Sequence, residues 1–250
     1  MLPIILALLS IALAASIVSN FITFNRGRQY YLQLNGTRLD PLGLSAYPPE
    51  ANQDLPANSD QVRVVFFGDS RAYQWTFPSG LEQFQFINRG IGSQTSVQVV
   101  ERFDEHVAPL QPQVIIVQVC INDLKTIPLF PDKKEAIVAN CQANIEKITS
   151  ASLDLGATVI LTSIFPLGEI PLERRPFWSA DVAEASKEVN AFMHALAADN
   201  VVIFDTTAIL ADERGIVQKQ YSQDFLHLSE TGYEALNNEL VDILVSLEKR

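Results

Sequence analysis

Acyl transfer through a side-chain hydroxyl needs a base to take the hydroxyl proton and a group to orient that base. It also needs N–H donors for the charge that builds on the carbonyl oxygen. This 250-residue chain carries such groups just past short apolar runs. Ser70 follows the run 64–67 through Gly68 and Asp69, in the stretch VVFFGDSRAYQW. Histidine suits the role of base near neutral pH, and there are three: His106, His194 and His227. The first two fall late in expected helices, where a histidine favours the dipole and faces water. His227 falls in a loop, three residues after Asp224, a spacing that puts both on one face of a turn. The carboxylate could then fix the ring tautomer and stabilise the imidazolium. An N-cap aspartate beside a surface histidine is the plainer alternative. Asn122, after another apolar run, offers a side-chain amide to an oxyanion, unless Asn122-Asp123 is a simple turn. The Gly-rich turn before Thr95 opens a helix whose backbone N–H groups could add a second donor.

These loops lie far apart in sequence, so the elements between them must gather them. Residues 62–67, 84–87, 114–119, 159–164 and 201–204 are short, nearly continuous apolar runs, the pattern of strands covered on both faces. Helical spacing appears between them: Val97, Val100, Phe103 and Val107; Ile137, Cys141, Ile145 and Ile148; residues 183–198; and Tyr233, Leu236, Leu240, Ile243 and Leu247. Thr231 and Glu234 form a capping-box pattern at the start of the last helix. The alternation predicts a doubly wound (flavodoxin-like) α/β three-layer sandwich with a central parallel sheet of about five strands. In such sheets ligands sit outside the carboxyl ends of the strands, where Ser70, Asn122 and the turn after residue 87 all fall.

A formal net charge of −11, with no long Lys/Arg run, argues against a nucleic-acid partner and against electrostatic binding to an anionic lipid surface. Cys120 and Cys141 are too few for a disulfide framework or a zinc cluster, and Cys141 reads as a small buried hydrophobe on its apolar stripe. Residues 2–24 carry no charge and are long enough, as a helix, to span a bilayer core. The expected organisation is a transmembrane anchor or signal segment over 1–24, a juxtamembrane segment and linker over 25–60, and the α/β domain over 61–250. The linker reading rests on Pro48, Pro49 and Pro56 among Asn, Asp and Ala. Ala12-Leu13-Ala14 has a small-x-small look, but no basic residue precedes the apolar run, which favours an uncleaved anchor. Arg26 and Arg28 just after the span favour a cytoplasmic domain.

Gly-Asp-Ser-Arg-Ala is not the G-x-S-x-G elbow of α/β-hydrolases, since Ala72 stands at the second glycine. Four blocks in order, FFGDSRA, NRGIGSQTS, CIND and DFLHLSETGY, instead resemble the SGNH (GDSL-type) hydrolase superfamily over about residues 61–250. That resemblance implies Ser70 as nucleophile, His227 as base and Asp224 as its orienter. It also implies an oxyanion hole from the Ser70 and Ser93 backbone N–H groups and the Asn122 amide, with no metal or cofactor. Ser93 aligns with a glycine of the family, and a turn needing positive φ there would strain it. Cys120 replaces another glycine and is expected to put a side chain beside the site. Arg71, where the motif has leucine, is a candidate contact to a substrate carboxylate or phosphate, or else pairs with a surface acid. The expected activity is hydrolysis of carboxylic esters on a lipid or O-acylated carbohydrate. O-acyl transfer in surface-polysaccharide modification and a non-catalytic binding domain are the alternatives. Anchored members often work outside the cytoplasm, so the resemblance favours the extracytoplasmic face against the two arginines.

Overall fold

A computed structural model of the protein describes residues 1–52 and 60–248. It comprises two compact units, Met1–Gly43 and Leu44–Arg250. Pro56 and the centre of the expected linker lie outside the described residues. The first unit holds one helix, α1 (Leu2–Leu39), with a proline in its first turn, where the missing N–H costs nothing. It is long and apolar enough to cross a membrane. At about 1.5 Å per residue its 38 residues reach ~57 Å, nearly twice a ~30 Å hydrocarbon core. The juxtamembrane residues expected after the span are therefore helical as far as Leu39.

In the second unit β1 (Val62–Gly68) leads into the one-turn helix α2 (Ser70–Tyr73), and β2 (Phe84–Gly90) into α3 (Ser96–Glu101) and α4 (Phe103–His106). Then come β3 (Val114–Gln118), α5 (Ile121–Leu124), α6 (Lys134–Asp154), β4 (Thr158–Thr162), α7 (Asp181–Ala195), β5 (Val201–Phe204), α8 (Thr206–Leu210) and α9 (Glu230–Glu248). All five strands are parallel, in the order β2-β1-β3-β4-β5. That is the flavodoxin-like order, whose direction of winding reverses between β1 and β3 and opens a crevice at their carboxyl ends. Ser70 follows β1 and Asn122 follows β3, so the two flank that crevice.

Period-two alternation distributes the strand residues between two cores. Val65, Phe67, Ile115, Val117, Val159 and Leu161 join Phe103, Cys141, Ile145 and Val189 on one face. Val64, Phe66, Ile116, Ile160 and Phe204 join Trp75, Tyr233, Leu236 and Leu240 on the other. Burial of Phe66 and Phe67 on opposite faces contributes roughly 1.5–3 kcal/mol each, which is why β1 reads as one continuous apolar run.

Two local expectations need correcting. The single helix expected from Val97 to Val107 breaks at Arg102, whose side chain is drawn inward. The capping box at Thr231 does not form, because α9 begins at Glu230, two residues earlier than a Thr231 cap requires. Ser229 caps it instead, its Oγ accepting from Gly232 N (3.3 Å), while the Thr231 hydroxyl donates to Gln220 O (2.6 Å).

Candidate active site

The turn that presents Ser70 exists because two glycines let backbone approach backbone. At Gly68 (φ +152°) a Cβ would stand 1.8 Å from Gln118 O, and at Gly90 it would stand 2.1 Å from Tyr73 N. Asp69, fully buried, caps α2 by accepting from Arg71 N (2.9 Å). Burial pushes its carboxyl up to about 6, against the pull of the Arg71 charge and hydrogen bond. Ser70 is thus the first residue of α2, where backbone N–H groups have no intrahelical partner.

His227 approaches from the loop before α9. Its Nε2 lies 3.1 Å from Ser70 Oγ and its Nδ1 2.9 Å from Asp224 Oδ2. The other carboxylate oxygen of Asp224 accepts from Leu226 N and His227 N, both at 2.7 Å, so the Asp-x-x-His spacing folds into one tight turn. Burial alone would raise the Asp224 carboxyl. The His227 ring and the two N–H donors outweigh it and hold the group below the usual range. With Nδ1–H donated to Asp224, Nε2 is left as the acceptor for the Ser70 proton.

On the far side of the crevice Asn122 is buried; its Nδ2 donates to Gln94 O (2.9 Å) and its Oδ1 accepts from Lys125 Nζ. An amide nitrogen carries two hydrogens, so one remains for an oxyanion. Asp123 accepts from Ser96 N (2.8 Å) and Ser96 Oγ (2.7 Å), tying the turn after β3 to the start of α3. Ser93 is exposed in the turn before α3 with φ 66°, the left-handed conformation that strains a serine.

Two expectations about side chains fail for physical reasons. Cys120 does not line the cleft: it is buried and forms a disulfide with Cys141 of α6, so Cys141 is a half-cystine and not a lone hydrophobe. Arg71 reaches neither cleft nor surface acid. Its guanidinium is buried, donating to Leu226 O (2.9 Å) and Phe165 O (3.1 Å) and lying 5.2 Å from the Phe165 ring centroid. Arg71 fastens the His227 loop to the turn carrying Ser70. Burial lowers it to about 10, so it stays charged at neutral pH.

Arg102 was not legible as a site residue. It is fully buried and donates to Gly68 O (2.8 Å), Arg89 O (2.8 Å) and Gln94 Oε1 (2.5 Å). It therefore braces the ends of β1 and β2 directly behind Ser70 and Ser93. The one available signal was a basic residue interrupting the apolar period between Val100 and Phe103. His106, expected to face water, is buried against this cation (Nη1 to Nδ1, 3.3 Å) and meets the Tyr47 ring edge-on. His194 is exposed, as its position predicts.

A sequence model of the GDSL-like lipase/acylhydrolase family matches residues 60–235. No curated protein gives a significant match. Similar solved structures include a Bacteroides fragilis protein at 24% identity, with TM-score 0.69 over 84% of this chain and 99% of that one. A GDSL-like lipase from Bacteroides thetaiotaomicron matches at 22% identity and TM-score 0.65 over 82% and 98%. An acetylxylan esterase from Geobacillus stearothermophilus matches at 17% and 0.55 over 72% and 92%. At these identities the likeness is one of fold.

Proposed function

Because this chain belongs to the GDSL-like lipase/acylhydrolase family, a family of ester-cleaving hydrolases, we propose that it cleaves carboxylic esters through an acyl-enzyme on Ser70. The carrying observation is the unbroken path from Ser70 Oγ to His227 Nε2 (3.1 Å) and from His227 Nδ1 to Asp224 Oδ2 (2.9 Å). In this reading His227 takes the Ser70 proton as Oγ attacks the ester carbonyl. The free hydrogen of Asn122 and the backbone N–H groups of Ser70 and Ser93 receive the negative oxygen. The tetrahedral intermediate collapses, and the proton on Nε2 passes to the departing alcohol. Water, deprotonated by the same nitrogen, then releases the acid and restores Ser70. Asp224 keeps the ring in the needed tautomer and stabilises the imidazolium, without itself becoming protonated.

The substrate class proposed is an acylated lipid or O-acylated carbohydrate met at a membrane surface, with α1 as an uncleaved anchor. The domain is assigned to the extracytoplasmic side. The Cys120–Cys141 disulfide supports that side, since such bonds persist in oxidising compartments. Treatment of the full chain with a fluorophosphonate probe tests the chemistry without knowledge of the substrate. The expected result is one adduct on Ser70, absent in Ser70→Ala, with loss of p-nitrophenyl ester hydrolysis in the same variant. An unlabelled wild type that turns over no ester refutes the proposal.

A further inference from the structure

A cleft of about 340 Å³ opens beside His227, with Lys125, Leu129, Arg174, Phe177 and Trp178 among its walls. In the mechanism above, His227 returns its proton to the departing alcohol. The space next to its ring is therefore where the alcohol portion of an ester must lie. The charge there runs against that of the whole protein. The chain has 29 acids and 18 bases, yet two cations line this cleft and one carboxylate does, Asp224. That carboxylate is already engaged by the His227 ring and by two backbone N–H groups.

Among the described residues neither Lys125 nor Arg174 forms an ion pair with a carboxylate. The Lys125 ammonium gives one hydrogen to Asn122 Oδ1 and has two more to offer. The Arg174 guanidinium lies 5.9 Å from the Phe225 ring centroid, on the loop between Asp224 and His227. Burial lowers the Lys125 pKa, the Asp69 charge works against that, and the nearby Arg71 and Arg174 charges lower it further. Two cations held close together beside the catalytic base repel each other. An anion between them would relieve that repulsion, with screening reduced at the half-buried Lys125 and greater at the exposed Arg174. The aromatic and aliphatic walls would cover the neutral part of the same group.

We infer that this cleft selects esters whose alcohol portion carries a negative group, a carboxylate or a phosphate, held by Lys125 and Arg174. The inference rests on the hydrolase reading and adds the charge of the substrate to it.

The test uses three matched acetyl esters, of 3-hydroxybenzoate (anionic), 3-hydroxybenzamide (neutral) and 3-hydroxyphenyltrimethylammonium (cationic). Each enzymatic rate is divided by the rate of hydroxide hydrolysis, which removes differences in leaving-group chemistry. The full chain in detergent is expected to favour the anionic ester over the neutral one by about tenfold in kcat/KM, and to disfavour the cationic one. Arg174→Gln should bring the anionic-to-neutral ratio toward one, and Arg174→Lys should restore most of it. Dibutyryl phosphatidate against dibutyrylglycerol, and an O-acetylated uronate against its neutral glycoside, distinguish a lipid phosphate from a sugar carboxylate. Preference for the charged member of either pair is the expected outcome. Equal turnover of all three aryl esters, with no preference in either natural pair, overturns the inference and leaves the hydrolase reading standing. No turnover of any ester, with Ser70 unlabelled by the fluorophosphonate, overturns both.

Discussion

The Cys120–Cys141 bond joins the end of β3 to α6 across 21 residues, and Cys120 itself holds a left-handed backbone (φ 86°) at the start of α5. Two opposing contributions follow from this one position. Closing a loop of that length removes denatured-state entropy worth about 3 kcal/mol on the chain-entropy account. Holding a residue with a Cβ at positive φ costs roughly 1–2 kcal/mol, part of which a glycine recovers after its greater freedom in the unfolded chain is subtracted. Replacement of both cysteines by alanine should therefore lower stability by about 3 kcal/mol, a fall of roughly 6–12 °C in the unfolding midpoint for a domain of this size. The pair Cys120→Gly/Cys141→Ala loses the same bond but relieves the turn, and should recover about 1 kcal/mol of that loss. Calorimetry of the three full-length proteins under non-reducing conditions, with thiol titration of the unfolded wild type, measures both contributions. Two titratable thiols in the wild type, or a midpoint shared with the double-alanine chain, would refute the bond. A glycine variant no more stable than the alanine one would refute the left-handed turn.

Two further predictions concern the turns that follow β1 and β2. The folded state binds a proton at Asp69 more tightly than the unfolded chain does, because burial raises the carboxyl to about 6. Its contribution is therefore fully present below pH ~4 and is lost as pH rises through ~6, a decline on the order of 3 kcal/mol. Urea unfolding across that range should show the decline in wild type and a flatter profile in Asp69→Asn. Equal slopes would mean that the group is not a buried charge. Ser93→Gly should raise stability by about 1 kcal/mol, since φ 66° suits glycine, and should leave kcat/KM within about twofold because the proposed donor there is a backbone N–H. A tenfold loss of activity would give the hydroxyl a part in the chemistry.

The sheet was legible because residues buried on both faces of a parallel strand have to be apolar in succession, and 62–67, 114–119 and 159–164 are. The loops bearing Ser70, Asn122 and Asp224-His227 were legible because each follows a strand or a turn signal. What escaped depends on neighbours distant in sequence. Cys141 lies on an apolar stripe, and nothing local distinguishes a half-cystine there from a packed thiol until β3 and α6 are set side by side. Arg71 read as a substrate contact or the partner of a surface acid, and Arg102 carried no reading, because a buried guanidinium needs several aligned carbonyls, and Leu226, Phe165, Gly68 and Arg89 supply them only once the chain has folded. His106 followed Arg102 inward for the same reason. The capping box at Thr231 failed because α9 starts at Glu230 and Ser229 takes the cap position.

The two buried guanidiniums also bear on how this protein comes apart. Between them they grip carbonyls at the ends of β1 and β2, in the segment after β4 and in the histidine loop. Any one of those segments could peel away only by taking an acceptor from a buried cation, at a cost of about 1.5–3 kcal/mol. The loops at the crevice are thus tied to the sheet through shared buried cations, although loops elsewhere commonly melt first. A chain warmed toward its midpoint must lose these charged hydrogen bonds before its crevice loops can rearrange on a folded sheet.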